Sequence, residues 1–400
     1  MNNRRQEKVT WWLGWVGDMP RVTTFLLQKP WLSAWALPKT VNATLRAIGI
    51  VAFANSPLSG LFILSAMFVG NPAVAWASLL AGLVGVVFSK LLHQPEQLIS
   101  DGAVVFNGVL VGCISVALFP SLSGHQVDAL FWLALTAMLV ITAYIDKGLN
   151  ALMSPSTLPA LSVPFNIAAV LMLLSMRSSA GLTGTLGPDM QHYSGSNDSG
   201  ALPSLSENTT EKVEWLKVME GSVLAAGQIY GVGTMDASIL ILLGFLVFSP
   251  LLTLFFLIGS VIGSLLGVLM SPAPYLEVYA GLWGYNALLT AGGVVYFLQV
   301  TPAAVLAAAV AATLAALVQA ASGHVFSAMM VPVLSYPFNV ALLLLLAIST
   351  TPDPPLLWVQ HRTFPEQHLY LHLKALRRKD QNVAAPENRN QEELQQITSK

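Results

Sequence analysis

Two copies of one short phrase, Pro164-Phe165-Asn166 and Pro337-Phe338-Asn339, stand 173 positions apart. Each follows an earlier proline, Pro159 or Pro332, and each opens a long apolar run. An amide at the start of a hydrophobic helix must find partners, because an unpaired polar group away from water costs several kcal/mol. A proline-broken start also frees backbone carbonyls, which can act as acceptors along a passage. A second amide pair, Asn107 and Asn286, sits in glycine-rich apolar stretches directly after Phe106 and Tyr285. Amides, carbonyls and flat rings together suit reversible contact with a small planar molecule rich in N–H donors. Phe53, Phe106, Tyr230 and Tyr285 are the symmetric aromatic candidates. For Asn166 and Asn339 the plainer role, capping a broken helix, fits better.

Ionisable residues are scarce in the apolar runs. Arg46, Lys90, Glu96, Asp101, Asp146, Lys147, Asp236, Glu277 and His324 lie near run ends, where interfacial anchoring or local pairing accounts for them. Asp101 and Glu277 precede the two glycine-rich stretches and suggest a weakly acidic mouth. Ion coupling needs a buried carboxylate, and the sequence places none. Downhill passage of a neutral solute is the more economical reading. The chain has no Walker loop, HExxH, GxSxG or dinucleotide fingerprint, so neither enzyme chemistry nor a cofactor is expected. His368 and His372 have helical spacing but lack a third ligand, which favours an exposed surface helix over a zinc pair. Cys113 is the single cysteine, excludes an internal disulfide, and reads as a small packing residue.

The elements that must position these groups are hydrophobic helices. Of 400 residues, 54% are hydrophobic and 10% charged, and mean hydropathy is +0.65. Soluble domains carry about a quarter charged residues, so a polytopic α-helical membrane protein is expected. A net charge of −1 gives no support to nucleic-acid binding. Apolar segments fall at 37–54, 58–70, 73–92, 103–119, 127–145 and 157–177, then at 215–234, 237–249, 250–271, 279–298, 302–321 and 325–349. Those beginning near Gly102 and Gly281 read as tilted or re-entrant helices. Three landmarks recur in one order at near-constant offset: Phe53 and Tyr230, Gly102 and Gly281, and the Pro-Phe-Asn copies. The chain therefore reads as an old duplication.

Basic residues gather in both terminal regions, which favours the cytoplasm for both. Ten crossings and two re-entrant helices satisfy that topology, and five crossings per half invert the second half. The expected organisation is a cytoplasmic region over 1–36, membrane repeats over 37–177 and 214–350, an outer linker over 178–213 and a cytoplasmic tail over 351–400. The polar linker carries glycosylation sequons at Asn197 and Asn208. Trp11-Trp12-Leu13-Gly14-Trp15 is too short for a signal core and suits the headgroup region. Gly259, Gly263 and Gly267 form overlapping GxxxG patterns that predict a close helix contact, within or between protomers.

The chain resembles the urea transporter family over about residues 37–349. The resemblance is carried by the stretch Leu45 to Gly60, by Gly227-Gln228-Ile229-Tyr230-Gly231, Ser249-Pro250-Leu251, Ile258-Gly259-Ser260 and Ala273-Pro274, by Gly281-Leu282-Trp283-Gly284-Tyr285-Asn286, and by the paired segments like the signature Leu-Pro-x-x-Thr-x-Pro-Phe-Asn. Thr363-Phe364-Pro365-Glu366 extends it into the tail. It implies an inverted repeat of two five-span halves, each with one re-entrant helix, assembled as a trimer in the plasma membrane. It further implies passive, channel-like urea permeation through each protomer. By position, Phe53 and Phe106 resemble one aromatic slot, with Leu110 beside it. Tyr230 and Tyr285 resemble the other, with Leu289 as a wall.

Several positions depart from the family. A glutamine commonly lies three residues before the first slot aromatic, where this chain has Ile50, matched in the second half by Gly227. The signature threonine is Ser162 in one half and Ser335 in the other. The pore centre normally has one threonine per half. Counting back from the signatures places Ile141 and Ala315 there, with Thr142 and Thr313 close by. The altered centre motivates a second reading, in which the permeant is water, ammonia, methylamine or an amide.

Overall fold

The computed structural model describes residues 17–124, 126–179 and 212–377, and it is helical throughout. Among the described residues, β pairing is limited to the isolated bridge between Leu298 and Trp358. After α1 (Pro20–Leu27), the first half runs α2 (Ala36–Ile50), α3 (Pro57–Gly70), α4 (Pro72–Leu91), α5 (Glu96–Ser100), α6 (Phe106–Ser123), α7 (Ala129–Met153) and α8 (Val163–Ser179). The second half runs α9 (Trp215–Gln228), α10 (Met235–Phe248), α11 (Pro250–Met270), α12 (Leu276–Tyr279), α13 (Tyr285–Phe297), α14 (Pro302–Ala328) and α15 (Tyr336–Ile348). Residues 365–377 form a last helix, α16.

The halves share this order because they share local stop and start chemistry. Asn71 caps α4 by accepting from Ala73 N, and Ser249 caps α11 by accepting from Leu252 N. Pro72 and Pro250 follow those caps, where a missing N–H costs nothing. Gly102 and Gly281 adopt left-handed backbone, with φ of 72° and 82°, just before α6 and α13. A Cβ on Gly102 would lie 2.3 Å from Ala47 N, and one on Gly281 2.6 Å from Ala225 N, so both conformation and space require glycine.

Helices α4, α6, α7, α11 and α14 are long and apolar enough to cross a membrane. Helices α3, α10 and α15 are shorter and equally apolar in character, as is the 163–175 part of α8. The expected segment 325–349 is in fact divided: α14 continues to Ala328 and α15 begins at Tyr336. Pro332, Pro337 and the left-handed Leu334, with φ of 50°, prevent one continuous helix. The same break, with Leu161 at φ 47°, delays α8 to Val163.

One continuous buried core runs through both halves. Helix α3 packs along α10, its counterpart, while α4 packs on α6 and α11 on α13. Every residue of α13 from Asn286 to Phe297 is buried. The GxxxG glycines serve this contact within the protomer: a Cβ on Gly263 would lie 2.5 Å from the Trp283 carbonyl oxygen. Cys113 is buried in packing contact with Ser78, as expected of a structural thiol.

Candidate functional site

The two amides at the starts of α6 and α13 clamp the broken segments. Asn107 donates from Nδ2 to the Leu161 carbonyl (3.3 Å) and accepts at Oδ1 from Phe165 N (3.2 Å). Asn286 does the same with the Leu334 carbonyl (3.1 Å) and Phe338 N (3.4 Å). Each satisfies one freed carbonyl and one orphan N–H at the start of α8 or α15. Capping of the broken helices therefore falls chiefly to these amides.

Asn166 and Asn339 do something the capping expectation did not foresee. They join the halves. Ser162 Oγ lies 2.7 Å from Ser335 Oγ. Asn166 Nδ2 donates to Ser335 Oγ at 2.9 Å, and Asn339 Nδ2 donates to Ser162 Oγ at 2.9 Å. Each amide also bonds its own half, Asn166 to the Ser162 carbonyl at 2.9 Å and Asn339 to the Ser335 carbonyl at 2.7 Å. The four residues form one polar junction at pseudo-equivalent places. The hydroxyl at Ser162 and Ser335 is thus committed to joining the two halves.

The aromatic candidates divide. Phe106 and Tyr285 open α6 and α13, half-buried, with Leu110 and Leu289 buried one turn on. The Tyr285 hydroxyl donates to the Leu334 carbonyl at 2.5 Å, a contact Phe106 cannot make. Phe53 is buried among residues of the second half, its ring 5.1 Å from Tyr296 and 6.1 Å from Phe338 between centroids. Its φ of 62° is strained for a residue with a side chain.

Backbone register corrects its pairing with Tyr230. The turn after α2 closes with Ala54 N on the Gly49 carbonyl, and the turn after α9 with Val232 N on the Gly227 carbonyl. That register sets Gly231, at φ 71°, opposite Phe53, and Gln228 opposite Ile50. Tyr230 is wholly buried and its hydroxyl bonds the Ile48 carbonyl at 2.9 Å. The second half therefore keeps a glutamine three residues before its turn position. Gln228 Nε2 donates to the Ala280 carbonyl at 2.8 Å. A one-residue slip in the assumed offset had hidden it behind Gly227.

The centre positions resolve similarly. Asn107 Nδ2 donates to Asp146 Oδ1 at 2.8 Å, and Asn286 Nδ2 to Gln319 Oε1 at 2.9 Å. Asp146 and Gln319 are therefore counterparts, and one turn earlier Thr142 is opposite Ala315. Thr142 is buried with its hydroxyl on the Met138 carbonyl, and Ala315 is fully buried. Ile141 is instead 45% exposed on the outer face of α7, and Thr313 is half-buried with its hydroxyl on the Ala309 carbonyl. Asp146 itself corrects the expectation of an interfacial anchor. It is the only buried Asp or Glu among the described residues. Its distance from Gln319 equals that of the Pro-Phe-Asn copies, which was the signal that could have found it.

Outside the apolar helices, the tail docks. Glu366 accepts from Ser249 Oγ and Leu251 N, both at 2.7 Å, and so caps α11. His368 is buried rather than exposed, with Nε2 3.1 Å from Thr363 N. Burial pushes its imidazole down to about 4. Among the described residues no group of three or more His, Cys, Asp or Glu is placed to hold a metal ion. Asp101 accepts from Gln97 and Glu277 from Trp283 Nε1, each close before its glycine turn. Asn197, Asn208 and the tryptophans at 11, 12 and 15 lie outside the described residues.

Comparison with known proteins agrees with this frame. A family model described as urea transporter matches residues 41–350. The chain is 30% identical to a protein named urea transporter 1 of Ovis aries over 374 residues, covering 92% of this chain and 91% of the relative. It is 31% identical to a protein of the same name from Rattus norvegicus over 348 residues, covering 84% and 83%. Together with the doubled helical frame and the matched amide clamps, these matches show that the chain belongs to the urea transporter family.

Proposed function

We propose that the protein conducts urea passively, as a channel, down its gradient through a pore between the two halves of each protomer. The observation that carries this reading is the matched pair of starts, Phe106-Asn107 and Tyr285-Asn286, each followed one turn later by a buried leucine, Leu110 or Leu289. Half-buried rings above apolar walls supply flat faces for a planar solute, and the Leu161 carbonyl, held by Asn107 alone, keeps a lone pair as an acceptor, whereas the Leu334 carbonyl is filled by Asn286 and Tyr285. The reading includes an inverted repeat, with α6 and α13 re-entrant, and a homotrimer in the plasma membrane. Both termini would be cytoplasmic and the linker glycosylated. Phe53 lines the first slot, while Tyr230 serves chiefly to lock the halves together.

Ala315 favours a second reading. It offers no hydroxyl where Thr142 offers one, so the permeant could be another small neutral solute, such as water, ammonia, methylamine or an amide. Stopped-flow flux in proteoliposomes separates the two, with urea, thiourea, ammonia and water compared in one preparation of assembled protein. Protein-dependent urea flux without ion dependence is expected. Its absence, with water or ammonia flux retained, would establish the second reading in its place.

A further inference from the structure

The two halves differ at one buried polar position. In the second half, Gln319 is satisfied at both ends: Oε1 accepts from Asn286 at 2.9 Å and Nε2 donates to the Leu282 carbonyl at 2.7 Å. In the first half, Asp146 is 2% exposed, and only Oδ1 is engaged, by Asn107. Its Oδ2 is buried with no hydrogen-bond partner. Asp146 also lines a cavity of about 10 Å³, together with Asn107, Gly108, Leu139 and Thr142. That is room for about one water.

The surroundings hold no charge committed to this carboxyl. On α4, Lys90 lies 4.8 Å from the ring of Trp31. Helix α6 carries only Cys113, in contact with Ser78. On α8, Arg177 lies beyond the described side chains. On α7 itself, Lys147 donates to the Leu92 carbonyl, Asn150 donates to the Asp146 backbone carbonyl, and Tyr144 is exposed. Asp101, ahead of α6, accepts from Gln97. An ionised carboxylate in apolar surroundings needs paired charge or several donors. A carboxylic acid needs less: its carbonyl oxygen accepts from Asn107, and its O–H becomes a donor, as the Gln319 amide nitrogen is in the other half.

We propose that Asp146 is a proton-binding site beside the pore, and that its neutral acid form is the conducting state. The proton is taken from solvent water at Oδ2 and returned there, so no bond other than O–H forms or breaks. In the neutral state Asp146 holds Asn107, and through it the Leu161 carbonyl, as Gln319 holds Asn286 and the Leu334 carbonyl. Loss of the proton leaves a charge facing the water-sized cavity and the Thr142 wall. The effect on permeation rests on the urea reading above; proton binding does not.

Two measurements test it. Urea is uncharged throughout, so its flux into proteoliposomes can be followed from about pH 5 to about pH 9 without the solute titrating. Wild-type flux should fall several-fold as pH rises, and D146N, locked in a neutral donor form, should conduct at a pH-independent rate. Infrared difference spectra should show a protonated-carboxyl C=O band that diminishes as pH rises and is missing in D146N. Aspartate labelled with carbon-13 identifies that band as aspartic acid, and its persistence in D101N separates Asp146 from Asp101 even where D146N fails to assemble. A pH-independent wild-type flux, or the same pH dependence in D146N, would overturn the switch. An infrared spectrum without a titrating aspartic acid would overturn the site. Absence of urea flux at every pH would count against the urea reading, while the infrared result would still decide proton binding.

Discussion

The hydroxyls of Ser162 and Ser335 lie 2.7 Å apart, although 173 positions separate them in the chain. Each is also bonded by the asparagine of the opposite half, Asn339 or Asn166. Buried hydroxyls left without partners cost about 1–3 kcal/mol. Ser162→Ala and Ser335→Ala should each destabilise the folded protein by that amount. The double variant should cost less than the sum, by on the order of 1 kcal/mol, because the two share partners. Thermal unfolding in detergent gives the cycle, and strictly additive losses would mean the junction is not shared.

Gly281 offers a sharper test of packing. Its φ is 82°, and an added Cβ would meet Ala225 N at 2.6 Å. Gly281→Ala should cost more than about 1 kcal/mol, since both backbone and space oppose it. Gly148, where an added Cβ meets nothing within 4 Å, is the control. Gly148→Ala should be neutral or stabilising by up to about 1 kcal/mol. Equal melting temperatures for the two variants would contradict the turn geometry.

Thr142 and Ala315 are the counterparts one turn before Asp146 and Gln319, and on the proposed urea reading they lie at the centre of the pore. Thr142→Ala should lower urea flux by on the order of tenfold, the equivalent of one hydrogen bond of about 1.4 kcal/mol. Ala315→Thr should raise urea flux relative to water flux by restoring a hydroxyl to the second half. Stopped-flow ratios of the two solutes decide this. A ratio unmoved by either substitution would take both residues off the permeation path.

Glu366 reaches from the tail to the N-terminus of α11, at Ser249 Oγ and Leu251 N. A carboxylate there satisfies orphan donors and favours the helix dipole. Glu366→Ala should cost about 1 kcal/mol and increase proteolysis within 363–377. Unchanged cleavage would mean that the rest of the tail contact suffices for docking.

His368 makes that docking depend on pH. Burial holds its imidazole at about 4 in the folded protein, below its ordinary 6.5. Between those values the undocked tail binds a proton and the docked tail does not, so docking weakens as pH falls from 6.5 through 4. The full loss below that window is about 3 kcal/mol, and nothing changes above it. Hydrogen exchange of 363–377 across this range should show the loss in wild type. His368→Gln should remove the pH dependence, and wild-type protection factors, taken relative to the intrinsic exchange rate at each pH, that stay flat would refute it.

Membrane class and the family were legible in the sequence because each rests on long runs or repeated phrases. Helix length and apolar composition are properties of contiguous residues, so the segments appeared close to their final places. The prolines before α8 and α15 were visible, yet 325–349 was still read as one segment, because the left-handed Leu334 that completes the break is a backbone state that leaves no mark in composition.

What only the folded chain decided was which residue faces which. The sequence paired Phe53 with Tyr230, whereas turn hydrogen bonds pair Phe53 with Gly231 and return Gln228 to the place of Ile50. The sequence set Asp146 at the end of a run, whereas the bond from Asn107 sets it opposite Gln319. Helical side chains turn about 100° per residue, so a slip of one position moves a group from wall to core. Local chemistry thus determined the helices of this protein, while hydrogen bonds made only in the folded chain, within each half, determined their register and the placing of the buried carboxyl.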